Sequence, residues 1–133
     1  FDGQGHTISG LYTKSSSGYI GLFGQATAPS IIQNINIKNS YFEKTGNSAA
    51  FMGSVVGDTY GIVQNIYSDA IIVSEGNQVG GIVGYINTDN VTLTNCVNHG
   101  TVTGRQLVGG IVGGGFKNTA YINCENHGQK SPT

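Results

Sequence analysis

Two cysteine–histidine pairs are the first residues that could do chemistry: Cys96-Val97-Asn98-His99 and Cys124-Glu125-Asn126-His127. Thiolate and imidazole are zinc ligands, and two CxxH pairs would fill a tetrahedral site. The acids come second. Asp2, Asp58, Asp69, Asp89, Glu43, Glu75 and Glu125 are the whole set, and a glycosidase needs two carboxylates across the scissile bond. The glycine runs "GQG" and "GGG" would suit phosphate only ahead of a helix. Asn90-Val91-Thr92 is a glycosylation sequon, a triplet that chance readily supplies. Finally, Tyr12, Tyr19, Tyr60, Tyr85 and Phe116 lie in or beside segments that read as loops, where they either cover the ends of apolar columns or serve as contacts for sugars and proteins. Each of these depends on the elements that place it.

The elements repeat. "GGIVG" occurs at 80–84 and 109–113, with looser copies "GLFG" at 21–24 and "SVVG" at 54–57. Aligning them puts Tyr19, Met52, Val79 and Val108 in one column and Leu22, Val55, Ile82 and Ile111 in the next. Phe23, Val56, Val83 and Val112 follow. The closing glycines, Gly24, Gly57, Gly84 and Gly113, are 33, 27 and 29 residues apart. A second block supplies Ile32, Val63, Leu93 and Tyr121, then Asn34, Asn65, Asn95 and Asn123, then Ile35, Ile66, Cys96 and Cys124. A third block aligns Ile8, Tyr41, Ile72 and Val102.

Each repeat holds three short segments rich in Val, Ile, Thr and aromatics, bounded by Gly, Asn, Asp or Ser, which is the signature of strands and turns. No stretch carries apolar residues at helical spacing over three turns. Three strands in 27–33 residues predict one coil of a parallel β-helix, each strand lying over its counterpart about 4.8 Å away. The expected domain spans 1–128, with repeats near 1–12, 13–45, 46–75, 76–104 and 105–128 and a tail at 129–133. Such a stack of four to five coils rises about 20 Å. Length varies at 13–18, 43–49, 85–90 and 114–119, which read as loops and as the usual carriers of function. Opening at Phe1 within the pattern, the chain reads as a piece of a longer protein.

This frame decides the chemistry. Residues three apart on a strand face opposite ways, so Cys96 inside puts His99 outside, and the two pairs do not converge on a metal. Stacked cysteines on parallel strands present parallel Cβ vectors, which suits a disulfide poorly, so the thiols are expected free and buried. The asparagine column is expected to form an amide ladder. No two acids share a column, Asp58 and Asp89 fall in the loop after the first strand, and no helix follows the glycine runs. No catalytic residue, metal site or cofactor is therefore expected. One pattern is harder to place. Both central residues of G-[LI]-[FV]-G are apolar, so either a bulge turns both inward or one column forms an outer apolar stripe, and the expectation drawn is a stripe that packs on a neighbour.

"FDGQGHTISGLY", "GYIGLFGQ" and "GGIVG…NCVNHGTVTG" resemble the GLUG-repeat proteins of bacterial surfaces, over residues 1–128. The repeat occurs in adhesin-like proteins and in N-terminal regions of streptococcal-type IgA-cleaving metalloproteases. The resemblance implies a right-handed β-helix on a large exported protein and supplies no catalytic residues. Composition agrees with an inert shape: charged residues are 10% of the chain and the net charge is -1. This lacks the basic footprint of a nucleic-acid binder, and no apolar run reaches a membrane span. The functional expectation is a non-catalytic binding module, presenting loops to a host protein or glycan. Alternatives are a substrate-positioning region of an exported protease and a polysaccharide-active β-helix enzyme. Neighbouring domains of the parent chain and end-to-end self-association through open strand edges complete the expected partners.

Overall fold

The computed structural model describes residues 1–116 and 118–132, so Lys117 of the 114–119 loop and Thr133 of the expected tail lie outside the described residues. Among the described residues there is no helix, and strands follow one another in a fixed cycle. The chain enters with β1 (Thr7–Ser9) and β2 (Tyr12–Ser15). One full coil is β3 (Tyr19–Ile20), β4 (Phe23–Ala26), β5 (Ile31–Lys38) and β6 (Tyr41–Lys44). The next is β7 (Phe51–Met52), β8 (Val56–Thr59), β9 (Ile62–Ser68) and β10 (Ile71–Ser74). The third is β11 (Gln78–Gly80), β12 (Val83–Ile86), β13 (Thr92–Asn98) and β14 (Val102–Gly104). The last is β15 (Val108–Gly109), β16 (Val112–Gly115), β17 (Ala120–Ile122), β18 (Glu125–Asn126) and β19 (Lys130–Pro132).

Every strand pairs in parallel with its counterpart one coil away. Four sheets result: β1-β5-β9-β13-β17 with β18 also on β13, then β19-β14-β10-β6-β2, β15-β11-β7-β3 and β16-β12-β8-β4. This is a parallel β-solenoid of about four turns. The glycine-rich segment of each repeat, one strand by its pattern, is broken into two, so a full coil carries four strands. The stack also continues past Gly128: Lys130 pairs with Val102 and Ser131 with Thr103, so most of the expected tail is a strand.

The interior is filled by files of like side chains. Ile32, Val63 and Leu93 are stacked in register, as are Ile35, Ile66 and Cys96, all buried. Each such Ile, Val or Leu contributes about 1.5–3 kcal/mol through burial. Two columns differ from the sequence reading by one residue. Met52 pairs with Ile20, not Tyr19, and Ile72 pairs with Phe42, not Tyr41. A one-residue slip exchanges the two faces of a strand. Ile20 and Phe42 are buried, while Tyr19 and Tyr41 are left on the outer surface. Ile8 belongs to yet another file, with Ile37, which pairs in turn with Ser68.

The expected outer apolar stripe does not exist. Val55 and Ile82 are as buried as Val56 and Val83, and Leu22 and Ile111 pack against the same core. The chain bends at Ser54–Val55 and Gly81–Ile82, between the third-sheet and fourth-sheet strands, and the bend turns both neighbours inward. On the side away from the core the two sheets then meet backbone to backbone in a crease. A side chain on Gly84 would run into the Met52 amide and the Gly57 carbonyl, and one on Gly57 would lie 2.6 Å from the Phe51 carbonyl oxygen. Glycine recurs here because a Cβ has no room.

Candidate functional site

The mouth of the crease is where the structure gathers aromatic side chains. Tyr19 on β3 and Phe51 on β7 are paired in register, with ring centroids 5.7 Å apart. Phe51 stacks on Tyr85 of β12 at 4.9 Å, and Tyr85 meets Phe116, just past β16, edge-on at 6.3 Å. Four rings thus climb the solenoid, one per coil. Tyr19, Phe51 and Tyr85 sit at fixed heights because each hangs from a strand registered to a neighbouring coil, and the Phe116 N–H donates to the Ile86 carbonyl below it. Such pairs are worth about 0.5–1.5 kcal/mol beyond area burial.

Of the five residues singled out from sequence, Tyr19, Tyr85 and Phe116 come together here. Phe51 completes the strip and was overlooked because it opens a two-residue strand after a loop. Tyr12 lies elsewhere, stacked on Tyr41 at 5.5 Å across β2 and β6. Beside that pair, Lys14 Nζ sits 3.1 Å from Glu43 Oε1, and the Tyr41 hydroxyl donates to Glu43 Oε2 at 3.0 Å. The Lys14 ammonium, then the Tyr41 hydroxyl, hold the Glu43 carboxyl below its usual range. Tyr60 is separate again, its hydroxyl accepting from Asn87 Nδ2 at 2.8 Å.

Polar groups flank the strip. Asp58 lies in β8, not in a loop, at the same level as Gln25 of β4 and Tyr85 of β12. It is fully buried. Its Oδ2 accepts from Gln25 Nε2 at 2.8 Å and from Asn87 Nδ2 at 3.3 Å, while Oδ1 has no protein partner. Gln78 of β11, in register with Phe51, also carries a buried acceptor without a donor. The exposed ring faces suit a ligand with apolar C–H surface or rings of its own, whereas the Asp58 and Gln78 acceptors are buried behind the strip and do not reach its outer face.

On the long-strand sheet the asparagines form their ladder. Asn95 donates to Asn65 at 3.0 Å, Asn65 to Asn34 at 2.9 Å, and Asn34 to Asp2 Oδ1 at 3.0 Å. All three have positive φ, between 53 and 60°, as does Asn123 in the next coil. Asparagine fits twice, since it tolerates the left-handed conformation and offers both an amide donor and a carbonyl. Asp2 terminates the ladder, and the Asn34 amide, foremost, lowers its pKa.

Cys96 and Cys124 are free thiols. Burial, with Cys124 adding to it, pushes Cys96 up to about 12. His99 and His127 lie on the outside, rings stacked at 4.6 Å. Among the described residues no three His, Cys, Asp or Glu side chains form a group able to hold a metal ion. One inward residue escaped the sequence reading altogether. Lys44, within a segment read as loop, points into the stack at 1% exposure. Its ammonium donates to the carbonyls of Thr45 at 2.6 Å and Gly46 at 3.1 Å and to Ser48 Oγ at 3.2 Å. A buried charge needs such partners, and here they come from the loop that follows.

Comparison with known proteins places this geometry beside two relatives. The chain is 34% identical over 113 residues, 84% of its length, to halomucin of Haloquadratum walsbyi. It is 30% identical over 66 residues, 49% of its length, to a putative Gly-rich membrane protein of Evansella cellulosilytica. The matched segments are 1% and 8% of those proteins respectively. No protein-family model and no solved structure matches the chain.

Proposed function

We propose that this chain is a non-catalytic binding module of a cell-surface or secreted protein, akin to the GLUG-repeat proteins, and that the aromatic crease is its contact face for a glycan or host protein. The observation that carries this reading is the strip Tyr19–Phe51–Tyr85–Phe116, one ring per coil in contact with the next. A stiff solenoid sets the spacing of its rings without any ordering cost on binding. The similarity to halomucin and to a Gly-rich membrane protein supports surface association. The buried Asp58 is held by neutral amides, and the reading assigns no catalysis.

A glycan array probed with the labelled chain tests the proposal, with immobilised surface proteins as the second arm. A specific hit that weakens about 2–12-fold in Tyr85→Ala, the equivalent of about 0.5–1.5 kcal/mol, supports the crease. A hit unaffected by Tyr85→Ala and Phe51→Ala moves the contact face elsewhere. Turnover of any bound polysaccharide, read as new reducing ends or unsaturated products, would end the non-catalytic assignment.

A further inference from the structure

On a different face, three turns enclose a hollow of about 440 Å³ whose lining includes Pro29, Ile31, Tyr60, Ile62, Asn90 and Val91. Ile31 and Ile62, paired in register, are 46% and 40% exposed, whereas their neighbours Ile32 and Val63 on the same strands are buried. Ser30 Oγ, also in the lining, is buried without a partner. At the rim stands Asn90, exposed at the tip of a turn with φ 62°. Its amide bonds no described group, whereas Asn34, Asn65, Asn95, Asn98 and Asn126 all spend theirs inside the protein. Asn90 is also the acceptor position of the Asn-Val-Thr triplet.

We infer that Asn90 is a site of N-linked glycosylation and that the hollow beside it seats the first sugars of the attached glycan. The triplet needs a non-proline middle residue and a surface position; Val91 and the exposed turn meet both. In the transfer, the Asn90 amide nitrogen forms a bond to the anomeric carbon of a lipid-linked oligosaccharide. The bond from that carbon to the lipid phosphate breaks, the phosphate leaves with the electron pair, and the amide loses one proton. The seat then matches a sugar's chemistry. Ile31, Ile62 and Pro29 offer apolar contact to its C–H face. Tyr60, whose oxygen already accepts from Asn87, keeps its own O–H to donate, and Ser30 Oγ gains a partner. The inference rests on export of the chain, the surface assignment made above.

Secretion of the full chain from a eukaryotic host that carries out N-glycosylation, followed by intact-mass measurement and peptide mapping, tests it. The expected result is a glycan mass on Asn90 that is lost in Asn90→Gln and in Thr92→Ala and retained in Thr92→Ser. Thr92→Ala leaves the turn residue itself untouched, so a folding defect at Asn90 does not confuse the reading. An unmodified wild-type chain overturns the attachment. Hydrogen exchange tests the seat: the amides of residues 30–31 and 60–62 should exchange more slowly in the glycosylated protein than in Thr92→Ala. Equal exchange overturns the seat. Fractionation of cells that make the native protein reads the surface assignment on its own, so failure there is distinguishable from failure of the acceptor.

Discussion

At the scale of single residues, asparagine and lysine decide most. Asn65 both bonds two neighbours and holds φ at 55°. Asn65→Gly keeps the backbone and loses the ladder, while Asn65→Ala loses the ladder and strains the turn. Chemical denaturation should show Asn65→Ala less stable than wild type by about 2–3 kcal/mol and Asn65→Gly by about 1–2 kcal/mol. Equal losses would mean that the ladder alone matters. Cys96 supplies a pH test. Its folded pKa, about 12, lies above the ordinary thiol value of 9.0, so the folded state keeps the proton longer. The contribution is whole below pH 9 and is lost as pH rises toward 12. Stability measured across that window should fall less steeply in Cys96→Ala than in wild type, and iodoacetamide at pH 8 should label Cys96 only after unfolding. For Lys44, exchange for methionine should fill the same space but release the carbonyls of Thr45 and Gly46. Limited proteolysis should then cut residues 45–49 faster than in wild type. Nothing in the sequence pointed to Lys44 as an inward residue, because it falls in the 43–49 segment that reads as a loop, and a lysine there is expected to face solvent.

At the scale of strands and turns, the glycine-rich motif is the feature that the sequence displayed most plainly and explained least. Its columns were legible because Gly, Ile and Val recur at one spacing. That the motif is a bend between two strands was not, since two adjacent apolar residues in a strand fit either a bulge or an outer stripe. The crease settles it, and Gly84→Ala should cost about 1–3 kcal/mol by overpacking, whereas Gly114→Ala, 3.2 Å from the Tyr85 ring, should disturb the aromatic strip more than the fold. Thermal unfolding of both, beside tyrosine fluorescence, separates the two effects. The candidate site was legible in part for a related reason. Tyr19 and Tyr41 were each placed one residue out of register because "YI" and "YF" pair an aromatic with an apolar neighbour, and either could fill the core. Packing chose Ile20 and Phe42, and that choice is what sends Tyr19 outward to the strip.

At the scale of the whole molecule, each coil pairs its strands only with its neighbours, the exposed Arg105–Asn47 contact being one that reaches past the adjacent coil, so stability should grow with coil number rather than with chain length as such. A chain ending after Gly104 should unfold at lower denaturant with a smaller m value, and it should not collapse outright; complete loss of structure would show that the last coil nucleates the rest. The solenoid's fit also has an internal rule. Ser54 donates its hydroxyl to the Gly81 carbonyl, the coil that carries Ser54 carries Ser68, and both are buried. In the next coil the position of Ser54 is Gly81 and that of Ser68 is Asn98, whose amide lies 2.6 Å from where a Gly81 side chain would begin. One coil further, Gly110 faces Asn126 in the same way. Volume removed at one corner is returned at the other within a single turn of chain. A gene that gains or swaps whole turns keeps both members of the pair together, whereas a crossover inside a turn sets an asparagine against a serine. Recombination among related genes should therefore leave breakpoints between turns, and the lengthening of such proteins becomes a matter of copying units already matched to themselves.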